Sequence, residues 1–560
     1  MTELVTSAEM QAIERDAIGS GEVTGAGLME IAGRGVVDAV LQWRPDLAQG
    51  GHSATVFCGP GNNGGDGYVI ARLLRTRGWR VRVLGMGEIG SMPPDARANR
   101  ERWETMGEVG PLTVARFREG PESGIYVDAI FGTGLTRAPE GDLLDLLRHL
   151  AGRDGTRYAS RLVAVDAPSG LDLDTGRMLA GGAAMPSEAT VPLCGLTVTF
   201  EVPKIGHFLA EGPACCGRLA VIDLGLLKWR GVRRDALTGA PGGEGEVLTP
   251  RARLIDRMPM VASARSPGHR PPDFAKRGGH KYDHGHALIV SGPAARTGAA
   301  RLAARAALRM GAGLVTVASP SDALAENAAH LTAIMTRRCD GSEGLADLLT
   351  DPRFNALCLG PGLGIGDATR HMVHAAIGEG RRVVLDADAL TSFQDVPDML
   401  FDAIGNAVVR SVVLTPHAGE FARLFPDIAA RRAGSDDQTE GRPISKLEAA
   451  REAAKRSGAI VLLKGPDTVI ATPSGEAAIN SAAYDREVPW LATAGAGDVL
   501  AGLITGLAAR MPDLRNAVED AAWLHVEAAR AAGPGMIAED LPERVPAVLR
   551  DMLGKNGVGT

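Results

Sequence analysis

Thr493-Ala494-Gly495-Ala496-Gly497-Asp498 runs straight into Val499, Leu500, Ala501, Leu503, Ile504 and Leu507. This pattern predicts a glycine-rich turn feeding the N-terminus of a buried helix. Free backbone N–H groups and the helix dipole make such a terminus an anion site, usually for phosphate. A carboxylate at Asp498 would repel that phosphate unless it serves to take a proton from an attacking or departing hydroxyl. Asp is also a favoured helix cap. The stretch alone therefore leaves two readings open, a cap and a general base.

A second group of candidates lies in the first half. Cys58-Gly59-Pro60-Gly61-Asn62-Asn63-Gly64-Gly65-Asp66-Gly67 follows a strand-like run, Ala54 to Cys58, and precedes a helix expected over Tyr68–Arg77. Strand, glycine loop and helix form the layout of a dinucleotide-binding turn. No Lys-Ser/Thr follows, which excludes an ATPase P-loop. Asp128 sits inside the run Gly124 to Phe131, and Asp166 ends the run Arg161 to Val165. Acids buried in a parallel sheet are costly unless paired, bound to a cation or used. Both fall near the carboxyl ends of their strands, where open α/β sheets bind ligands. Asn63, Asp128 and Ser169 offer hard oxygen ligands with no His or Cys, a set suited to an alkali or alkaline-earth ion rather than zinc.

The elements that must position these groups alternate regularly. In both halves an apolar or β-branched run ends in Gly, Asp or His and a helix begins, which is how a parallel sheet presents loops on one edge. Trp79 to Leu84, Thr190 to Phe200 and Arg218 to Leu224 extend the first sheet to an expected six to eight strands. Helices are expected from a Thr6–Glu9 capping box to about Ile18, and over Leu28–Trp43. Between Leu227 and His280 the pattern weakens into Gly/Pro-rich stretches, so the join is placed near residue 250. In the second half, runs at His286–Ser291, Leu314–Ala318, Ala356–Leu359, Arg382–Leu385, Ser411–Leu414 and Ala459–Leu463 are read as strands. Lys464 and Thr468 in Lys464-Gly465-Pro466-Asp467-Thr468 could offer a cation and a hydroxyl to phosphates. His417 reads either as a ligand contact or as a structural histidine. Gly360 to Gly364 could let a flat ligand approach the backbone.

With 560 residues, more than one domain is expected. The 72 glycines and only 4% aromatic residues suit α/β folds with glycine-rich turns. A net charge of −7 gives no global basic field to attract nucleic acid. The six cysteines form no CxxC pair, and reduced thiols in a cytoplasmic protein are the expectation. The acidic N-terminal stretch does not read as a signal peptide, and no apolar run approaches the ~20 residues of a membrane span.

Together these motifs resemble the bifunctional NAD(P)H-hydrate repair enzyme family. The resemblance to the epimerase half rests on CGPGNNGGDGYVIAR (Cys58 to Arg72), VDAIFGTGL (Val127 to Leu135) and VDAPSGLD (Val165 to Asp172). The resemblance to the ADP-dependent dehydratase half rests on HKYDHGHALIVSG (His280 to Gly292), GPGLG, LDADAL, LTPHAGE, KGPDT and AGAGDVLAG. It implies an α/β protein of two domains: a Rossmann-like epimerase domain over 1–235, a linker over 236–275, and a ribokinase-like dehydratase domain over 276–560. The first would interconvert the R and S forms of hydrated NAD(P)H. The second would dehydrate the S form with ADP as phosphoryl donor, releasing AMP and phosphate.

The same resemblance assigns residues. Asn62, Asn63, Gly64, Gly65 and Asp66, with Gly132, Thr133, Gly134, Leu135, Thr136, Arg137 and Ala138, would hold the hydrate in the first half, Asp166 being the acid/base. Asn63, Asp128 and Ser169 match potassium ligands. In the second half Ala299, Gly362 and His417 would contact the hydrate. Lys464, Gly465, Pro466, Asp467, Thr468 and Gly497 would hold the nucleotide. Asp498 would take the C6 hydroxyl proton, with Mg²⁺ bridging the phosphates. A homo-oligomer is expected. Some epimerases carry a basic residue near the end of the strand after the glycine loop, where this chain has Leu84-Gly85-Met86-Gly87; Asp166 is then expected to act with another group or with water. Two rival readings remain, a small-molecule kinase for the second half and a binding module for the first.

Overall fold

The computed structural model describes residues 2–49, 51–135, 137–152, 156–179, 192–231, 250–257, 274–276, 278–409, 411–434 and 443–554. Contacts divide the chain into two compact units, Glu3–Arg251 and Ala252–Thr560 together with Met1–Thr2.

The N-terminal unit holds seven strands: β1 (Ser53–Cys58), β2 (Arg80–Gly85), β3 (Val109–Pro111), β4 (Ile125–Ala129), β5 (Leu162–Val165), β6 (Leu196–Phe200) and β7 (Arg218–Ile222). They pair in the order β3-β2-β1-β4-β5-β6-β7, every pair parallel. Apolar residues cover both faces, as a parallel sheet requires. One face packs the helices Ser7–Gly19, Gly25–Trp43 and Asn62–Thr76, with Met10, Ile13, Val36, Val40, Tyr68 and Leu74 buried against β1 and β4. The other face gathers Phe57, Phe117, Tyr126 and Tyr158 under the helix Gly141–Ala151. The capping box is present: Thr6 Oγ1 accepts from Glu9 N at 3.1 Å, and Glu9 Oε2 accepts from Thr6 N at 2.9 Å.

One expectation is corrected. The helix after the glycine loop starts at Asn62, not Tyr68. The two asparagines and the Gly64-Gly65 pair are its first turn, and the glycine there is required by packing, since a β-carbon at Gly64 would run into the Gly59 carbonyl.

The C-terminal unit has a larger sheet. Its strands are β8 (Ala252–Leu254), β9 (His286–Val290), β10 (Leu314–Ser319), β11 (Met335–Arg338), β12 (Phe354–Leu359), β13 (Arg382–Leu385), β14 (Val412–Leu414), β15 (Ile460–Leu463), β16 (Asp467–Ala471) and β17 (Ala477–Ser481). The order is β8-β17-β16-β15-β14-β13-β12-β9-β10-β11, parallel from β15 to β11 and antiparallel across β15-β16-β17. Part of the stretch read as a linker is therefore sheet, since Ala252–Leu254 pairs with Ala477–Ile479. Most of the rest of that stretch lies outside the described residues.

Helix α1 (Gly298–Arg309) and helix α2 (Ala496–Arg510) cross against this sheet. Helix α2 is buried along nearly all its length. Side-chain atoms added at Gly502 or Gly506 would collide with the backbone of Ala303 or Ala307, so the two helices meet backbone to backbone. This close crossing seats the N-terminus of α2 over the carboxyl ends of the central strands. No helix among the described residues is long and apolar enough to cross a membrane.

Candidate functional site

In the N-terminal unit the loops after β4 and β5 converge on Asp166. Its backbone is left-handed, φ 65°, an uncommon conformation for a non-glycine residue and one found at functional sites. Its Oδ1 accepts from Thr199 Oγ1 and from Lys204 Nζ, both at 2.8 Å, and its Oδ2 accepts from Thr133 N at 3.0 Å. A β-carbon at Gly132 would lie 2.5 Å from Oδ2, so glycine there is what admits the carboxylate. Burial by itself would raise the carboxyl pKa, but the Lys204 ammonium, His207 and the Thr199 hydroxyl outweigh it and hold the group below its ordinary value.

Lys204 is the basic partner that the sequence analysis did not find. Its side chain is 1% exposed, and the ammonium also donates to Thr199 Oγ1 and to the Phe200 carbonyl. The signal available was Val202-Pro203-Lys204-Ile205-Gly206-His207, a lysine and a histidine in an apolar run directly after β6. His207 shares the cluster through a 2.9 Å hydrogen bond between its Nε2 and the Asp166 carbonyl.

The glycine-loop residues reach the same place electrostatically. Asp66 lies among Glu14 and Asp166, and burial with these two carboxylates pushes its pKa well up. The Asn62 side chain is exposed, while Asn63 is half-buried, its Nδ2 having no partner among the described residues. Leu135 N donates to the Gly132 carbonyl at 3.2 Å, making Gly132–Leu135 a turn; Arg137 is exposed, Ala138 is half-buried, and Thr136 lies outside the described residues.

Asp128 and Ser169 are joined. The Ser169 hydroxyl donates to Asp128 Oδ1 at 2.6 Å, Ser169 N donates to Oδ2 at 2.8 Å, and Ile130 N donates to Oδ1 at 3.3 Å. Burial raises the Asp128 pKa, and these hydrogen bonds partly offset it. A carboxylate has about four acceptor sites, so Oδ2 retains capacity. The unpartnered Asn63 amide would present its oxygen if turned over, an assignment hydrogen bonding must decide. The three residues therefore have the oxygen chemistry a monovalent cation requires.

In the C-terminal unit the carboxyl edge of the sheet gathers three loops on the N-terminus of α2. The helix is capped by Gly495, φ 86°, without any side-chain cap bond, and Asp498 is its third residue. The cap reading of Asp498 thus fails. Asp498 is half-buried, and burial together with Asp386 and Asp388 raises its pKa to about 6, Lys464 opposing. Lys464, at the end of β15, donates to Asp386 Oδ1 at 2.7 Å, and Thr415 Oγ1 donates to the same oxygen at 2.9 Å. Burial lowers the Lys464 pKa, but Asp386, Glu420 and Asp498 raise it further, so the ammonium stays charged. A β-carbon at Gly497 would lie 3.6 Å from Lys464 Nζ and 3.8 Å from Asp386 Oδ2, which places the lysine directly over the helix terminus. Ala387, next to Asp386, is strained at φ 48°.

The remaining candidates divide by role. Lys446 donates to Asp467 Oδ1 at 2.5 Å and to the Lys464 carbonyl at 3.1 Å, so it braces the Lys464–Thr468 loop, and sequence reasoning missed it. The Thr468 hydroxyl donates to the Gly465 carbonyl at 2.7 Å and is occupied within its own turn, while Gly465 and Pro466 are exposed. His417 caps the helix Ala418–Leu424, its Nδ1 accepting from Gly419 N at 3.0 Å, yet its side chain is 54% exposed. It is at once structural and open to a ligand. Gly362 packs against the Arg296 carbonyl, in the loop that precedes α1, and Ala299 is on the first turn of that helix. Gly364 N donates to Asp388 Oδ2 at 2.8 Å. Among the described residues no group of three or more His, Cys, Asp or Glu could hold a metal ion.

A chain carrying a cation–carboxylate–helix terminus site in one parallel-sheet unit and a lysine-paired aspartate in another is a fused pair of α/β enzyme modules. A family model described as NAD(P)H-hydrate dehydratase matches residues 287–546, and one described as YjeF-related protein N-terminus matches residues 25–206. The bifunctional NAD(P)H-hydrate repair enzyme of Moorella thermoacetica is 34% identical over 574 residues, covering 98% of this chain and 97% of that one. The NAD(P)H-hydrate epimerase of Rhodobacter capsulatus is 43% identical over 219 residues, 38% of this chain and 95% of that one. Among solved structures, the ADP/ATP-dependent NAD(P)H-hydrate dehydratase of Bacillus subtilis, co-crystallised with ATP/Mg²⁺, is 26% identical, with a TM-score of 0.41 over 50% of this chain and 94% of that one. The chain belongs to the bifunctional NAD(P)H-hydrate repair enzyme family.

Proposed function

We propose that the chain repairs hydrated NAD(P)H, the N-terminal unit interconverting the R and S epimers and the C-terminal unit dehydrating the S form with ADP. The observation that carries the second activity is Asp498, an uncapping carboxylate with a raised pKa beside Lys464 at an open helix N-terminus. The backbone N–H groups of α2, including that of Gly497, and the Lys464 ammonium supply positive charge for the terminal phosphate. Asp498 accepts the C6 hydroxyl proton as that oxygen attacks the terminal phosphorus and AMP leaves. Loss of the C5 proton and of phosphate then forms the C5–C6 double bond of NAD(P)H. Positioning, charge neutralisation and one base suffice for such a transfer. Mg²⁺ would neutralise phosphate charge; it commonly keeps several waters and one or two carboxylates, so the absence of a dense ligand cluster among the described residues is compatible with it. Ala299, Gly362 and His417 stand for the hydrate contacts, and the Lys464–Thr468 loop for the nucleotide.

In the N-terminal unit, Asp166 is the acid/base, and Lys204 supplies beside it the positive charge that Leu84–Gly87 does not. Residues 62–66, 132–135, 137 and 138 would hold the hydrate, and K⁺ at Asn63, Asp128 and Ser169 would tie the glycine loop to the end of β4 and the loop after β5. A homo-oligomer and a cytoplasmic location complete the reading. The test offers purified hydrate of each epimer to the full chain with ADP and ATP separately. Recovery of the reduced-nicotinamide absorbance from the S form with ADP, and from the R form after a lag, is expected. A stable phosphorylated product with no regained absorbance would instead support a small-molecule kinase.

A further inference from the structure

Asp166 is an ion whose two oxygens are already engaged by Thr199, Lys204 and Thr133 N. Such a group is ionised at neutral pH and has no proton to donate. An epimerisation at C6 needs a proton donor as well as an acceptor, because a hydroxyl must leave one face and water must add to the other.

The helix Ser7–Gly19 supplies a candidate for the missing donor. It stands against the substrate loop, Gln11 Nε2 donating to the Thr133 carbonyl at 3.0 Å. Glu14 follows Gln11 at the i+3 spacing that puts two side chains on one face of a helix. It is half-buried, and the charges it faces are Lys204 and Asp166, with Asp66 adjoining from the glycine-loop helix. No described residue offers Glu14 a hydrogen bond, in contrast to Glu9 on the same helix, which the Thr6 cap and Arg251 engage.

We infer that Glu14 is a second catalytic residue of the epimerase site, the acid that protonates the departing C6 hydroxyl. This rests on the epimerase reading above. The C6–O bond breaks as Glu14 gives up its proton and water forms, and the ring nitrogen lone pair closes a C6=N1 iminium. Water adds to the opposite face and its surplus proton passes to the Asp166 carboxylate. Transfer of that proton from Asp166 back to Glu14 through solvent restores both groups. Two carboxyls whose surroundings drive their pKa values apart are how one site runs acid and base steps together. Burial raises Glu14 to about 7, Asp166 adding to the shift and Lys204 opposing it, so the acid form is available at neutral pH.

The experiment measures R-to-S conversion by the full chain and by E14Q and E14D across neutral pH. A wild type that does not interconvert the epimers refutes the epimerase reading itself. Given an active wild type, its kcat falls as pH rises through about 7. E14Q is expected to lose about 100-fold in kcat with KM nearly unchanged, and to lose that alkaline limb. E14D, which keeps a carboxyl on a shorter stem, recovers part of the rate with the limb displaced. E14Q turning over at the parent rate overturns the inference, as does a slowed E14Q whose alkaline limb persists. Should E14Q fail to fold, an unmoved limb in E14D overturns it equally.

Discussion

Replacing Lys204 with Met tests the electrostatic construction of the N-terminal unit. The side chains of Lys204 and Asp166 are 1% and 8% exposed and lie 2.8 Å apart. Methionine fills similar volume but leaves the Asp166 carboxylate buried without its countercharge, a change that costs about 3–5 kcal/mol. For a unit this size that corresponds to a fall of about 6–20 °C in its melting temperature. The pH dependence carries the sharper prediction. In the parent, Asp166 has a depressed pKa, so its contribution is present above the unfolded value and lost as pH falls through the folded one. In K204M only burial remains large, the folded pKa rises, and the penalty grows as pH rises through it. The deficit of K204M against parent is therefore greatest at neutral pH and shrinks on acidification. K204M/D166N removes both charges and recovers most of the loss. Calorimetry of the full chain, with the transition of the N-terminal unit followed across pH, reads all three variants. A deficit independent of pH, or a double variant no better than K204M, would show that Lys204 acts by packing and refute the reasoning.

Other outcomes follow from the same geometry. D498N should lose at least about 100-fold in dehydratase turnover. The parent rate should rise with pH through about 6 and level off as Asp498 ionises, while D498N shows no such limb in a stopped assay. G502A inserts a methyl group into the backbone contact between α2 and α1, and overpacking there is expected to destabilise the C-terminal unit by about 1–3 kcal/mol in urea denaturation. Exposed G298A, where an added β-carbon meets nothing, is the control and should be neutral or slightly stabilising.

Much of the architecture was legible because a parallel sheet writes itself as apolar runs ending in Gly or Asp, and each such run from Ala54 to Leu463 became a strand. The carboxyl-edge candidates Asp128, Asp166, Lys464 and Asp498 could be picked from residue type and loop position. Where the helix after the glycine loop begins was not legible: Asn62–Gly67 reads as a turn by propensity, yet it is the helix's first turn, with Gly64 fitted against the Gly59 carbonyl where a side chain would not fit. His417 shows a different limit, since one ring both caps a helix and faces solvent, and sequence offered these as alternatives.

Residue order alone thus determined the two α/β modules, the glycine loops and the acids at strand ends, since these follow from hydrophobic period and from backbone stereochemistry acting over a few neighbours. Which charges meet was decided only by the tertiary fold. Lys204 reaches Asp166 because β5 and β6 are adjacent strands, Lys464 covers Gly497 because α2 begins beside the residues that follow β13 and β15, and Glu14 faces both partners of the buried pair because its helix packs beside the Thr133 turn. Coulomb energy depends on distance through space and on burial, and neither is a property of spacing along the chain.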